Sequence, residues 1–135
     1  MLLSLCFSIL YSQKMKNHLH KKWIAKVGNI YEETPDDNPC AGSEIYLTLV
    51  FDEKQIHISE KEISSCNQES THKIGIYNWK LLPNNVIEVD SILKETKGTY
   101  ATQLQLELRD SKIVGIITHL NGKVVEYVFK ETKAL

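Results

Sequence analysis

In EIYLTLVF (44–51), Ile45, Leu47, Leu49 and Phe51 fall on one side of an extended chain, and Tyr46, Thr48 and Val50 on the other. A repeat of two is the spacing of a half-buried strand, whereas a helix repeats at 3.6. The same pattern recurs along the chain. It predicts strands over 21–33, 44–51, 55–63, 72–82, 86–90, 100–109, 113–120 and 123–130. In the third, Ile56 and Ile58 point inward, with Gln55, His57 and Ser59 outward. In the fourth, Gly75, Tyr77, Trp79 and Leu81 share a face, and Ile74 and Ile76 the opposite one. Ile87 and Val89 go together, as do Leu104, Leu106 and Leu108, and then Val125, Tyr127 and Phe129. Between the segments lie turn formers: TPDDNP, DEK, PNN, RDSK, and Asn121-Gly122, the strongest two-residue hairpin signal in the chain.

Eight strands with short turns and no long helical pattern read as all-β. Sequential hairpins make a meander. A meander of eight half-polar strands removes its exposed edges by closing into an up-and-down antiparallel β-barrel. A two-sheet sandwich is the competing architecture, but it usually needs longer crossing connections. The 135 residues suffice for one domain with a core of its own. Net charge is −1, from 16 basic and 17 acidic residues that are well interspersed, so no nucleic-acid partner is expected.

The first residues differ from the rest. MLLSLCFSILYSQ (1–13) carries no charge and is almost wholly apolar up to Tyr11. At about a dozen residues it is too short for a helical membrane span, so no transmembrane segment is expected. It has the size of the apolar core of a secretory signal peptide, with Ser12 as the small residue before a cleavage point. No Lys or Arg precedes it, so its start can lie upstream of Met1. Export places the protein in a secreted or periplasmic setting. A cell-surface lipoprotein fits less well, because Leu5 stands where a small residue should precede Cys6. Without the leader, Cys40 and Cys66 remain, and an even count in an exported chain reads as one disulfide. The meander agrees. Cys40 follows the first strand and Cys66 the third, so both loops fall at one end, within bonding reach.

The apolar leader, Trp23 on the first strand, eight alternating strands and a last strand with Tyr127-x-Phe129 together resemble the bacterial lipocalin-like domains of small secreted proteins. The resemblance spans 21–130. The Gly-x-Trp signature of lipocalins is incomplete, since Lys21 stands in place of its glycine. The resemblance implies a basic residue packed over Trp23, which would be Arg109 or Lys130.

Sequence motifs offer no catalytic machinery: no Gly-x-Ser-x-Gly, no His-Glu-x-x-His, no phosphate loop and no Cys-x-x-Cys. No enzyme activity, cofactor or metal is expected. His18 and His20 read as a solvated pair in a basic stretch, and His57, His72 and His119 as surface histidines. The acidic loop with Glu32, Glu33, Asp36 and Asp37 lacks the spacing of a calcium loop. Glu60 and Glu62 share one face of a strand, where they would serve as an acid–base pair or as edge charges. Aromatic residues say more. Tyr77, Trp79 and Tyr127 point inward with Ile58 and Leu106, and an eight-stranded barrel either fills its interior or holds one small ligand. These five are the candidate ligand-binding residues of a secreted, lipocalin-like, non-enzymatic binding protein for a small hydrophobic molecule. The competing reading is a solid barrel acting through its loops on a protein partner, of protease-inhibitor or immunity type.

Overall fold

The structure is a computed structural model, and it describes residues 2–30, 40–90, 104–119 and 121–132. Its elements are α1 (Leu2–Leu19), β1 (Lys22–Ile30), β2 (Ser43–Phe51), β3 (Gln55–Ser64), β4 (Glu69–Leu81), β5 (Val86–Val89), β6 (Leu104–Arg109), β7 (Lys112–Thr118) and β8 (Val124–Thr132). The eight strands close into one antiparallel barrel in chain order. The expected ends of the first, sixth and seventh strands, at 31–33, 100–103 and 120, lie outside the described residues. So do the acidic residues Glu32, Glu33, Asp36 and Asp37.

The period-two repeat decides what lies inside. Ile45, Leu47, Leu49, Phe51, Ile56 and Ile58 are all buried, as are Leu104, Leu106 and Leu108. Among the described residues nineteen buried apolar side chains form one core cluster, Trp23, Trp79 and Phe129 among them. Two glycines make room for rings. A Cβ on Gly75 would sit 2.5 Å from the Tyr77 hydroxyl, and one on Gly115 would sit 2.7 Å from the Phe129 ring. Those rings therefore lie flat along the inner wall.

Two bulges break strict alternation. In β1 the pairing shifts between Lys26 and Gly28, leaving Val27 as the extra residue: Val27 keeps the buried side of Trp23 and Ala25, while Gly28 comes opposite the buried Ile45. In β4, Gly75 pairs with Ile58 but Lys73 pairs with Ser59, leaving Ile74 as the extra residue. Ile74 consequently packs against the core, whereas Ile76 stays exposed on the outer wall. The expected shared outer face for Ile74 and Ile76 is corrected by this bulge.

One end of the barrel is plugged. Helix α1 runs through Ser12 and Gln13 without a break and ends at Leu19, which is fully buried among the core residues. Gln13, Lys14, Met15 and Lys16 are all good helix formers, so nothing in the sequence stops the helix where the apolar run stops. The Trp23 indole N–H donates to the Leu19 carbonyl at 3.2 Å, and the His18 ring meets Trp23 edge-on at 5.8 Å. His18 Nε2 lies 2.8 Å from the Ser111 carbonyl, in the turn between β6 and β7. His18 and the Leu19 carbonyl in the last turn of α1 are therefore what meet Trp23. Arg109 reaches Glu107 and Glu126 instead, which hold its guanidinium in the charged form. Lys130 pairs with Ile24, on the face away from Trp23.

Candidate functional site

The two ends of the barrel differ in chemistry. At the plugged end, Trp79 stacks edge-on against Phe51 at 5.1 Å, and its indole N–H donates to the Asp52 carbonyl in the β2–β3 turn at 3.0 Å. Asp52 fixes that turn by accepting from the amides of Gln55 and Lys54 at 2.6 and 3.0 Å. Those amides, with a smaller contribution from His57, hold its carboxyl below the usual carboxylate range. Of the five candidate ligand residues, Trp79 is thus part of the floor. Ile58, Tyr77 and Leu106 are buried at mid-height. Tyr127 is partly buried and stands level with Leu106, one on each side of Gly115.

The opposite end is the mouth. Here β3 and β4 run on past the apolar layer. Continuing the inward parity of Ile56 and Ile58 along β3 brings Glu60 and Glu62 to the inner face. Pairing confirms the side, because Glu60 stands opposite the buried Leu47 and Glu62 opposite the buried Ile45. Across the next ladder Glu60 pairs with His72 and Glu62 with Ser70. Ser43 Oγ, at the start of β2, donates to Glu62 at 2.6 Å. The inner wall is therefore apolar from the floor to Tyr77 and polar above it.

A disulfide joins the lip. Cys40 and Cys66 are bonded, with Cα atoms 4.9 Å apart, as the meander and the cysteine positions required. Beside the bridge the Ser65 amide donates to the Gly42 carbonyl at 3.1 Å, and Ser65 Oγ donates to the Ala41 carbonyl at 2.8 Å. Gly42 has φ +90°, where L side chains are strained, and a Cβ there would press on the Ile30 carbonyl at 3.2 Å. Below this lip, on the outer wall, lies a cleft of about 450 Å³ between Lys26, Asn29, Gly42, Glu44 and Ile63. Lys26 bonds the Glu44 carboxylate in its wall at 2.9 Å, and the Tyr46 hydroxyl donates to the same carboxylate. Tyr46 first and Lys26 second hold Glu44 below its ordinary range, and Glu44 in turn raises the Tyr46 hydroxyl. A second cleft, of about 390 Å³, opens between β5 and β6, which pair only at Val86–Glu107 and Ile87–Leu106.

Among the described residues no three His, Cys, Asp or Glu side chains gather as metal ligands would. None of the described helices is long and apolar enough to cross a membrane. His57 lies 3.5 Å from Asp52 on the outer wall, and His119 is exposed in the turn before β8. The inward polar set at the mouth was only half visible in the sequence. Glu60 and Glu62 follow from the parity of β3. His72 and Ser70 do not, because strict alternation from Gly75 turns Lys73 and Thr71 inward, and only the bulge at Ile74 reverses this. Fold and site define a closed eight-stranded up-and-down barrel with a plugged floor and a disulfide-tied lip. No protein-family model, curated protein or solved structure matches the chain.

Proposed function

We propose that this protein is an exported, lipocalin-like, non-enzymatic binding protein that takes a small, largely apolar molecule through the disulfide-tied mouth. One observation carries the reading: Glu60, Glu62, Ser70 and His72 are on the inward side of β3 and β4, directly above Ile58 and Tyr77. Glu62, Ser70 and His72 are exposed on this side and Glu60 is half-buried, which suits a wall that meets solvent better than a packed core. A cup with a dry floor and a wet upper wall needs such groups. The apolar end of the guest packs against the layer formed by the buried Ile58, Tyr77 and Leu106 and the partly buried Tyr127, and the residues above them orient its polar end. The disulfide suits an oxidising compartment. To test this, the oxidised protein is incubated with a lipid extract, desalted and weighed by native mass spectrometry. A retained adduct that is lost in Tyr127→Ala is the expected result. A protein that always emerges without added mass refutes the cup.

A second reading has its own support in the lip. The bridge and the two Ser65 hydrogen bonds tie the end of the β1–β2 connection to the β3–β4 turn, which suits loops presented to a protein partner. Pull-down from the source cells with the oxidised and the reduced protein separates this reading from the first. A partner held only by the oxidised form would support it.

A further inference from the structure

The side chains of α1 divide into two groups. Phe7, Ile9, Leu10 and Tyr11 are 65–70% exposed. At 100° per residue these four positions span an arc of about 200°, and the barrel leaves that arc uncovered. So broad an exposed apolar arc belongs in apolar surroundings, and the described residues provide none for these four side chains. Four residues on, the situation reverses. Met15 packs against the core, Leu19 is fully buried, His18 meets the Ser111 carbonyl, and the Leu19 carbonyl accepts the Trp23 indole N–H.

We infer that α1 has two fates: the apolar half is a leader removed by hydrolysis of one peptide bond between Ser12 and Met15, and Met15–Leu19 stays behind as the stopper of the mature barrel. The reaction is peptide-bond hydrolysis by a leader peptidase. Water adds across the amide, the leader departs with the new carboxylate, and the mature chain begins with the new ammonium. Removal costs the fold no buried side chain among Phe7, Ile9, Leu10 and Tyr11. A cut one turn further on would expose Trp23 and open the floor. Seven residues at most of α1 remain ahead of His20, too few for a helix to persist on propensity alone. Packing of Met15 and Leu19 holds the stopper in place. The inference is independent of what the mouth binds.

Two measurements test it. Intact mass and N-terminal sequencing of the protein recovered from its source cells should show a chain starting at residue 13, 14 or 15. A product that retains Tyr11, or one that lacks Met15, overturns the inference. In parallel, oxidised chains 13–135 and 20–135 are melted beside the full chain. The first should melt within about 2 °C of the full chain, and the second about 10 °C lower or not fold at all. Leu19→Ala in the 13–135 chain keeps the comparison within a folded protein and should lower melting by at least about 5 °C, with tryptophan emission shifted to the red. A 13–135 chain as unstable as 20–135 would make the apolar half structural. Equal melting of Leu19→Ala and its parent would deny the stopper. Either result overturns the inference.

Discussion

Removing the lip disulfide should cost far more than the few contacts around it suggest. Cys40 and Cys66 are separated by 26 residues. On the chain-entropy model, closing such a loop withdraws about 12 cal/mol/K from the unfolded chain, or about 3.5 kcal/mol at 25 °C. A domain of this length loses roughly 4 °C of melting temperature per kcal/mol, so the bridge accounts for about 14 °C. The Ser65 hydrogen bonds to Gly42 and Ala41 do not substitute for it. They order the native lip, at about 1 kcal/mol each, but place no restraint on the unfolded chain. The comparison is between Cys6→Ser and Cys6→Ser/Cys40→Ser/Cys66→Ser, because Cys6 is an exposed free thiol that would scramble the pairing. Calorimetry reads the melting temperature and urea titration the slope of unfolding. The triple variant should melt about 14 °C lower, and its urea slope should rise because its unfolded chain exposes more surface. A loss below about 4 °C with an unchanged slope would show that the unfolded chain is already compact across this loop, and would refute the entropic account.

Gly75→Ala should destabilise by about 1–3 kcal/mol in urea titration, since the new methyl lands on the Tyr77 ring at 2.5–2.7 Å. Trp79→Phe keeps most of the apolar contact but strands the Asp52 carbonyl, and its equilibrium stability should fall by about 1–3 kcal/mol. Asp52 has its carboxyl pKa depressed by the Gln55 and Lys54 amides. Its contribution is therefore complete above the unfolded value of about 4 and disappears as pH falls through the lower folded value. Urea midpoints at pH 7 and pH 3 should accordingly lie closer together in Asp52→Ala than in the parent.

Most of the barrel is legible from alternation alone. Ile45, Leu47, Leu49 and Phe51 announce their side because nothing interrupts β2, and the cysteines agree because a meander returns every second loop to the same end. Alternation stops informing where a bulge intervenes. Ile74 carries no mark in sequence distinguishing an extra residue from an ordinary one, and a single insertion exchanges the inward roles of Lys73 and His72. Trp79 shows a different limit. Its side of the strand is readable, but its height in the barrel depends on which end is stoppered, and that is decided by Leu19 sixty residues earlier. The helix also outruns the apolar segment that suggested a leader, because charged helix formers extend it without changing its geometry.

Closure of the cylinder rests on three rungs, Lys22–Thr132, Trp23–Glu131 and Ile24–Lys130. Every other seam joins strands that are neighbours in sequence, so each can zip as soon as its hairpin is made. This seam joins residues more than a hundred positions apart, and such distant partners meet slowly. Until β8 is in place, strands β1 to β7 have two unpaired margins, those of β1 and β7. The barrel closes only when β8 meets β1. The margin of β1 is the one left waiting longest, and any delay in delivering β8 offers it to another molecule's strand.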